Sequence, residues 1–303
     1  EAGLLQKAPD AVAAHVKNPA YYDAFFANAA SYEGAVHGVP LFRGQGSLFY
    51  NTDMFAAAGL TAPPKTLDEY SAYAEKLVKR DASGRPTVTG WSLRLSGGGQ
   101  GIAEKFWINM HQHGGALVKP VAGGKWVSDY ANEAGRKTLL QYLDMVHTKK
   151  TCLLDSPADA DAFQRGQTAM FIRESWVIGD TAKKAPNLKY ATAHLPQGTI
   201  VVPVQMYTPA RNPRADLAWA YMQAATEPGN MVWLLENVGW LPNRRDADYS
   251  PVVAKTPQLK AFVEIPQGHR LFGLPTIGPS EEILTRLAER LVRAFGTAAL
   301  AGD

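Results

Sequence analysis

Two places in the sequence carry side chains suited to binding a small polar molecule. Arg43 and Gln45 lie in a short segment in which glycines flank Gln45, and glycine lets a backbone approach a ligand closely. Trp176 follows the polar residues 173–175. An indole offers a large rigid apolar surface and one N–H donor, so Trp176 suits either stacking on a ligand or core packing after the strand predicted at 168–172. These residues predict binding by stacking and hydrogen bonding.

Four other residues extend this candidate site. Gln100 precedes a predicted helix, where free N–H groups and the helix dipole favour an anionic or hydroxyl ligand. Glu174 lies two residues before Trp176, whereas Trp107 and Trp240 suit core packing at least as well as stacking. The predicted ligand-binding set is Arg43, Gln45, Gln100, Trp107, Glu174, Trp176 and Trp240.

Patterns of catalysis and metal binding are missing from the sequence. His111 and His113 are two residues apart, so on a helix their rings point in different directions and share no ion. There is no Gly-x-Ser-x-Gly and no His-Glu-x-x-His motif, and no carboxylate pair can be assigned as acid and base. Cys152 is the single cysteine and fits a small buried residue better than a nucleophile. We therefore expect no metal, no cofactor and no enzymatic activity.

Composition indicates a folded α/β protein. Hydrophobic residues make up 46% and charged residues 19% of the 303 residues, and the net charge of +3 is scattered, which gives nucleic-acid binding little support. No run approaches the roughly 18 apolar residues of a membrane span, and the start lacks the pattern of a signal peptide. Helices are predicted at 9–30, 52–58, 66–80, 102–113, 133–147, 160–165, 215–226, 228–237 and 280–296. Strands are predicted at 31–40, as two short runs around a turn at Glu33 and Gly34, and at 46–50, 88–95, 168–172, 190–195 and 199–207.

Three blocks of sequence resemble one protein family. The first holds Gly38-Val39-Pro40, the run Tyr50-Asn51-Thr52-Asp53 and the segment 58–69, in which Leu67 replaces the usual tryptophan. The others are 163–170 and 239–244. In this order they are similar to the family-1 extracellular solute-binding proteins of bacterial ABC importers, of the sugar-binding type that includes maltose-binding protein. In that family the pattern of residues 3–5 follows several dozen others, so we expect an N-terminal segment to be absent from this numbering.

The resemblance implies the type II periplasmic-binding-protein fold, an α/β fold with two lobes, crossing strands between them and a ligand cleft. Lobe one is expected to hold 1–43 and 203–238, and lobe two 44–202 and 239–303. The crossings are expected near 42–46, 199–203 and 238–241.

The resemblance also implies a function. The protein would capture a sugar or oligosaccharide, close around it and deliver it to a membrane permease. It would act as a monomer in the periplasm or outside the cell, either free or anchored as a lipoprotein. A tryptophan matching Trp176 stacks on sugars in relatives, and the role of a carboxylate that aligns with Gly44 would pass to Arg43 or Gln45.

Three alternatives remain open at this point. Arg43 could clamp an anionic, sugar-like ligand such as glycerol phosphate or a glycerophosphodiester. The chain could be an enzyme on a related two-lobed fold, such as a glycosidase or transferase, or an interaction protein with a vestigial cleft.

Overall fold

The computed structural model describes residues 3–95, 99–274 and 277–302, which form an α/β protein. The helices are α1 (Asp10–Lys17), α2 (Ala24–Ala29), α3 (Thr52–Ala57), α4 (Leu67–Leu77), α5 (Gly101–Gln112), α6 (Glu133–Leu143), α7 (Asp159–Gln164), α8 (Trp176–Lys184), α9 (Ala215–Ala225), α10 (Pro228–Val238), α11 (Ser250–Lys255), α12 (Lys260–Val263) and α13 (Ser280–Phe295). The strands are β1 (Ser31–Tyr32), β2 (Ala35–Val36), β3 (Gly38–Asn51), β4 (Lys79–Arg80), β5 (Pro86–Val88), β6 (Val118–Val121), β7 (Lys125–Ser128), β8 (Met170–Glu174), β9 (Tyr190–Ala193), β10 (Gly198–Tyr207), β11 (Leu241–Pro242) and β12 (Arg270–Phe272). The predicted loop residues Ser96, Gly97 and Gly98 lie outside the described residues.

Side-chain caps start two helices where the sequence predicts them. The Asn51 side chain accepts a hydrogen bond of 2.9 Å from the N–H of Met54 at the start of α3. At α4 the Thr66 hydroxyl accepts from the N–H of Glu69 at 3.2 Å. The Glu69 carboxylate accepts from the N–H of Lys65, the residue before the Thr66 cap, at 2.5 Å.

Some predicted boundaries are wrong. The helix predicted at 9–30 is divided into α1 and α2, which flank Pro19. The helix predicted to reach residue 80 ends at Leu77, because β4 pairs with β5. The segment 88–95 is not a continuous strand, since beyond β5 it pairs only through bridges at Thr89 and Ser92.

The chain divides into two compact units. Unit one consists of residues 1–45, 175–179 and 201–263. In it, residues 38–45 of β3 pair antiparallel with residues 201–207 of β10 and with β11. Helices α1, α2 and α9 supply apolar side chains to its core, including Val12, Val16, Ala27, Trp219 and Met222.

Unit two consists of residues 46–174, 180–200 and 264–303. Residues 46–51 of β3 pair antiparallel with β8 and β9, and residues 198–200 of β10 pair in parallel with β12. Helix α13 packs through an apolar stripe of four residues, all of which are buried. They are Leu284, Leu287, Leu291 and Phe295.

The compact units differ from the predicted lobes in one large segment. The chain changes unit after Gln45 and after Ile200, close to two of the predicted crossings. It does not change unit at 238–241, because β11 pairs with residues of β3 in unit one and the Phe262 carbonyl accepts a hydrogen bond from Gln45. Residues 239–263 therefore belong to unit one. The identification of these units with functional lobes stays a prediction.

Candidate functional site

Unit one places four predicted residues on neighbouring segments. We call Phe42, Arg43, Gln45, Trp176 and Trp240 the Arg43 patch. Arg43 lies opposite Leu241 in the pairing of β3 with β11. This pairing brings Trp240, the residue before Leu241, close to β3. Contacts between residues about 200 positions apart in sequence thus build the patch, such as the hydrogen bond between Arg43 and Pro242, which are 199 residues apart.

Backbone and side-chain acceptors hold the Arg43 guanidinium in place. Its Nη1 donates to the Pro242 carbonyl at 2.7 Å, and its Nε donates to Gln45 Oε1 at 3.2 Å. Gln45 is 1% exposed and donates in turn to the Phe262 carbonyl at 3.3 Å. Gln45 therefore orients Arg43 and has little surface of its own to offer a ligand.

The Arg43 guanidinium keeps a positive charge and one unused nitrogen. Burial lowers its pKa to about 10, although Tyr249 and Asp23 act in the opposite direction, so it is protonated at pH 7. The guanidinium carbon lies 5.6 Å from the centre of the Phe26 ring. Among the described residues, Nη2 has no hydrogen-bond partner. A ligand hydroxyl or an anionic oxygen can accept from it.

Two half-buried tryptophans accompany Arg43. Trp176 is the first residue of α8 and closely follows β8, which ends at Glu174. Ser175 Oγ donates to the Gly239 carbonyl at 2.5 Å, and a Cβ added at Gly239 would lie 3.6 Å from the Trp176 Cα. The Trp240 indole packs on the Phe42 ring, with 4.7 Å between the ring centroids and 31° between the planes. Gly239 has φ of +79°, which permits both the turn and this close approach.

Unit two places Glu174 in a buried ion-pair network. Glu174 Oε1 lies 2.5 Å from Lys105 Nζ, and Oε2 lies 3.5 Å from Arg173 Nη1. Arg173 also reaches Asp159, with 3.5 Å between Nε and Oδ1. Burial raises the pKa of Glu174, but the charges of Lys105 and Arg173 outweigh this and lower it to about 2. Glu174 is ionised at neutral pH and already paired.

A cavity of about 230 Å³ with mixed polar and apolar walls adjoins this network in unit two. Its walls include Ser92, Arg94, Asp159 and Arg173. The Arg94 guanidinium lies against the start of α5, because a Cβ added at Gly101 would come 2.3 Å from its Nη1. The cavity offers cationic and hydroxyl groups that could meet a polar ligand.

The other two predicted residues, Gln100 and Trp107, contact other parts of the protein. Gln100 donates a long hydrogen bond of 3.5 Å to the Glu281 carbonyl at the start of α13. Trp107 is 4% exposed and packs on Phe272, with 5.0 Å between ring centroids. A buried indole has no face free for stacking on a ligand, so Trp107 belongs to the core rather than to a binding surface. A ligand role for Gln100 stays a prediction.

Sequence reasoning missed Lys105 and Phe42. Lys105 lies among the buried residues of α5, and its partner Glu174 is 69 residues away. The one local signal for it is the presence of a lysine within an apolar helical pattern. Phe42 directly precedes Arg43, and an aromatic beside a candidate arginine is a signal that could have found it. Within the described ranges, no cluster of three or more potential ligands could hold a metal ion, and no helix is long and apolar enough to cross a membrane.

Comparisons with known proteins agree on one family. Residues 1–261 match the family model described as bacterial extracellular solute-binding protein. A binding protein of Brucella abortus (strain 2308) is 22% identical over 267 residues, which are 85% of this chain and 62% of that protein. The chain thus spans less than two thirds of the length of this curated relative.

Solved structures confirm the predicted α/β fold of the type II periplasmic-binding kind. The GacH receptor of Streptomyces glaucescens GLA.O, solved unliganded and with acarbose, has a TM-score of 0.79 at 21% identity, over 99% of this chain and 78% of that one. UgpB of Mycobacterium tuberculosis, solved with glycerophosphocholine, has a TM-score of 0.76 at 20% identity, over 98% of this chain and 78% of that one. With the family match over residues 1–261, the predicted family is confirmed, and the chain belongs to the bacterial extracellular solute-binding proteins.

Proposed function

We propose that this chain binds a carbohydrate outside the cytoplasm and delivers it, chemically unchanged, to the permease of an ABC importer. One observation carries the proposal: two half-buried indoles lie on segments of unit one that neighbour a guanidinium with a free nitrogen. Indoles cover the apolar faces of sugar rings, and a fixed cationic donor binds their hydroxyl oxygens. Small-molecule sites commonly combine aromatic walls with a few fixed polar groups.

Two solved structures that share the fold hold carbohydrates. The GacH receptor was solved with acarbose, and another similar structure is a Listeria monocytogenes substrate-binding protein with cycloalternan. At these low identities the likeness concerns the fold, so the ligand class rests on the Arg43 patch itself.

The ion-pair network supports binding without catalysis. Glu174 is paired with Lys105 and Arg173, and its pKa is lowered to about 2. A carboxylate in this state is a poor general acid at neutral pH. We therefore propose that Glu174 contributes charge and shape, and that no bond of the ligand is made or broken.

A phosphodiester is the second candidate ligand. The free Nη2 of Arg43 could donate to a phosphate oxygen as readily as to a hydroxyl, and UgpB was solved with glycerophosphocholine. The phosphate group of a phosphodiester is negatively charged, whereas a sugar hydroxyl is neutral, so only the contact of the phosphate with Arg43 should weaken as salt is added.

A melting-temperature screen tests the proposal. We expect a mono- or disaccharide, or an oligosaccharide such as acarbose, to raise the melting temperature by about 5 °C at 100 times its Kd, since such saturation adds about 2.7 kcal/mol. Glycerophosphocholine is measured in the same series at low and high salt. A shift with glycerophosphocholine alone, lost at high salt, would favour the second candidate. A ligand whose mass changes during incubation would contradict binding without chemistry.

A further inference from the structure

Unit two has a second concave surface that shares no residue with the Arg43 patch. A cavity of about 420 Å³ lies between the β6–β7 hairpin and α13. Trp126, Val127 and Tyr130 line one side, and Ile283, Leu287 and Arg290 line the other. We call these six residues the hairpin groove. Its volume falls within the range of roughly 300–1,000 Å³ typical of small-molecule pockets.

Two apolar side chains on the β7 wall of the hairpin groove are exposed, whereas Leu287 on the α13 wall is only 5% exposed. Trp126 is 39% exposed and Val127 is 41% exposed, both on β7. Ile283 and Leu287 are four residues apart on α13, so both face the same side of the helix. Adjoining exposed aromatic and aliphatic side chains are a common mark of an interaction site.

The charge in the groove is one-sided. Arg286 Nη2 lies 2.5 Å from Glu282 Oε1, so its charge is matched within the helix. Arg290, one turn further along, donates from Nη1 to the Tyr130 hydroxyl at 3.2 Å. In the described part of the chain no carboxylate forms a salt bridge with Arg290. An unmatched guanidinium therefore stands at the edge of an apolar surface, where it complements a negative charge.

We propose that the hairpin groove binds a small organic acid with a flat apolar body. The body lies against the Trp126 indole and the α13 side chains, and the acidic group meets the Arg290 guanidinium. Apolar contact supplies most of the affinity, because an ion pair at an exposed arginine is worth little in water. Such a ligand differs in chemistry from the carbohydrate proposed above, and the groove would bind it whether or not the Arg43 patch binds a sugar.

Equilibrium dialysis with two matched probes tests this inference. 2-Naphthoate carries the acid, and 2-naphthalenemethanol has the same ring system without the charge. We expect 2-naphthoate to bind several-fold more tightly than the alcohol. Trp126→Ala should weaken 2-naphthoate about tenfold, by the loss of an aromatic contact. Arg290→Gln should weaken it about threefold and remove the preference for the acid.

Two control variants locate the effect. Trp233 is 59% exposed on α10 in unit one, so Trp233→Ala should leave 2-naphthoate binding unchanged. Arg286→Gln removes a charge that Glu282 already matches and should have less effect than Arg290→Gln. Equal binding of both probes to the wild-type protein would overturn the inference, as would unchanged 2-naphthoate binding in Trp126→Ala with wild-type melting.

Discussion

Replacing Glu174 by alanine is expected to destabilise the folded chain by about 3–5 kcal/mol, because it leaves a buried ammonium without its partner. Lys105 is 5% exposed, and its Nζ lies 2.5 Å from Glu174 Oε1. A buried unpaired charge costs far more than the net contribution of an intact pair, since water can no longer solvate it. Urea unfolding followed by far-UV circular dichroism measures the loss as a lower denaturation midpoint.

A double variant separates pairing from shape. Lys105→Met with Glu174→Leu removes both charges and keeps apolar volume, so it should recover most of the lost stability. Arg173 retains Asp159 as a partner in that variant, with 3.5 Å between Nε and Oδ1. If the double variant is as unstable as Glu174→Ala, the cost lies in packing around β8 rather than in the unpaired lysine.

Acidification is expected to destabilise the chain through His111. Burial, together with Arg270 and His269, lowers the pKa of His111 to about 4 from its usual 6.5. The imidazole lies on the Phe272 ring, with 4.0 Å between centroids. The folded chain therefore favours the neutral ring. Its contribution is complete above pH 6.5, falls as the pH drops from 6.5 to 4, and is constant below that. Between pH 7.5 and 4.5 the loss is about 2–3 kcal/mol.

Replacing His111 by a residue that does not titrate tests whether this loss of stability arises from His111. Burial also lowers the pKa of His113 and of His269, so the pH dependence of the wild-type protein alone does not identify one residue. His111→Gln stays neutral at both pH values. We expect the difference in unfolding free energy between pH 7.5 and 4.5 to shrink by about 2–3 kcal/mol in this variant. An unchanged difference would show that His111 is protonated in the folded chain as readily as in the unfolded one.

Local patterns predict elements where the determining contacts are also local. The Asn51 and Thr66 caps bond to groups three residues away, so the residue types alone locate the starts of α3 and α4. The stripe of α13 repeats every three or four residues and reports its buried face directly. Such elements need no knowledge of the rest of the chain.

Elements that depend on distant partners are predicted poorly. Residues 88–95 alternate like a strand, and Trp91, Leu93 and Leu95 are buried. Beyond β5, however, their backbone pairs with residues 168–171 only at two isolated bridges. Residues 239–263 join unit one through pairing of β11 with β3, which nothing in the local sequence indicates. The family motif at 239–244 locates the β11 region along the sequence, but it does not indicate to which compact unit this region belongs.

The candidate site shows the same division. Residue type and flanking glycines identify Arg43, and the family resemblance identifies Trp176. The partners that fix Arg43 are a carbonyl 199 residues away and a glutamine that sequence reasoning assigned to the ligand instead. Trp107 is 4% exposed and packs on Phe272, a residue far along the chain that the local sequence does not indicate as its partner.

Calorimetric titration of the best carbohydrate from the melting screen tests the central claim most directly. It is carried out on the wild-type protein, on Trp176→Ala and on Trp233→Ala, which removes an exposed indole from α10 in the same unit. Trp176→Ala should weaken binding by about 1–3 kcal/mol, the contribution of one stacked indole, while Trp233→Ala binds as the wild type does. Unchanged affinity in Trp176→Ala, together with a sharply lower melting temperature, would show that Trp176 packs in the core and would contradict the assignment of the Arg43 patch as the sugar site.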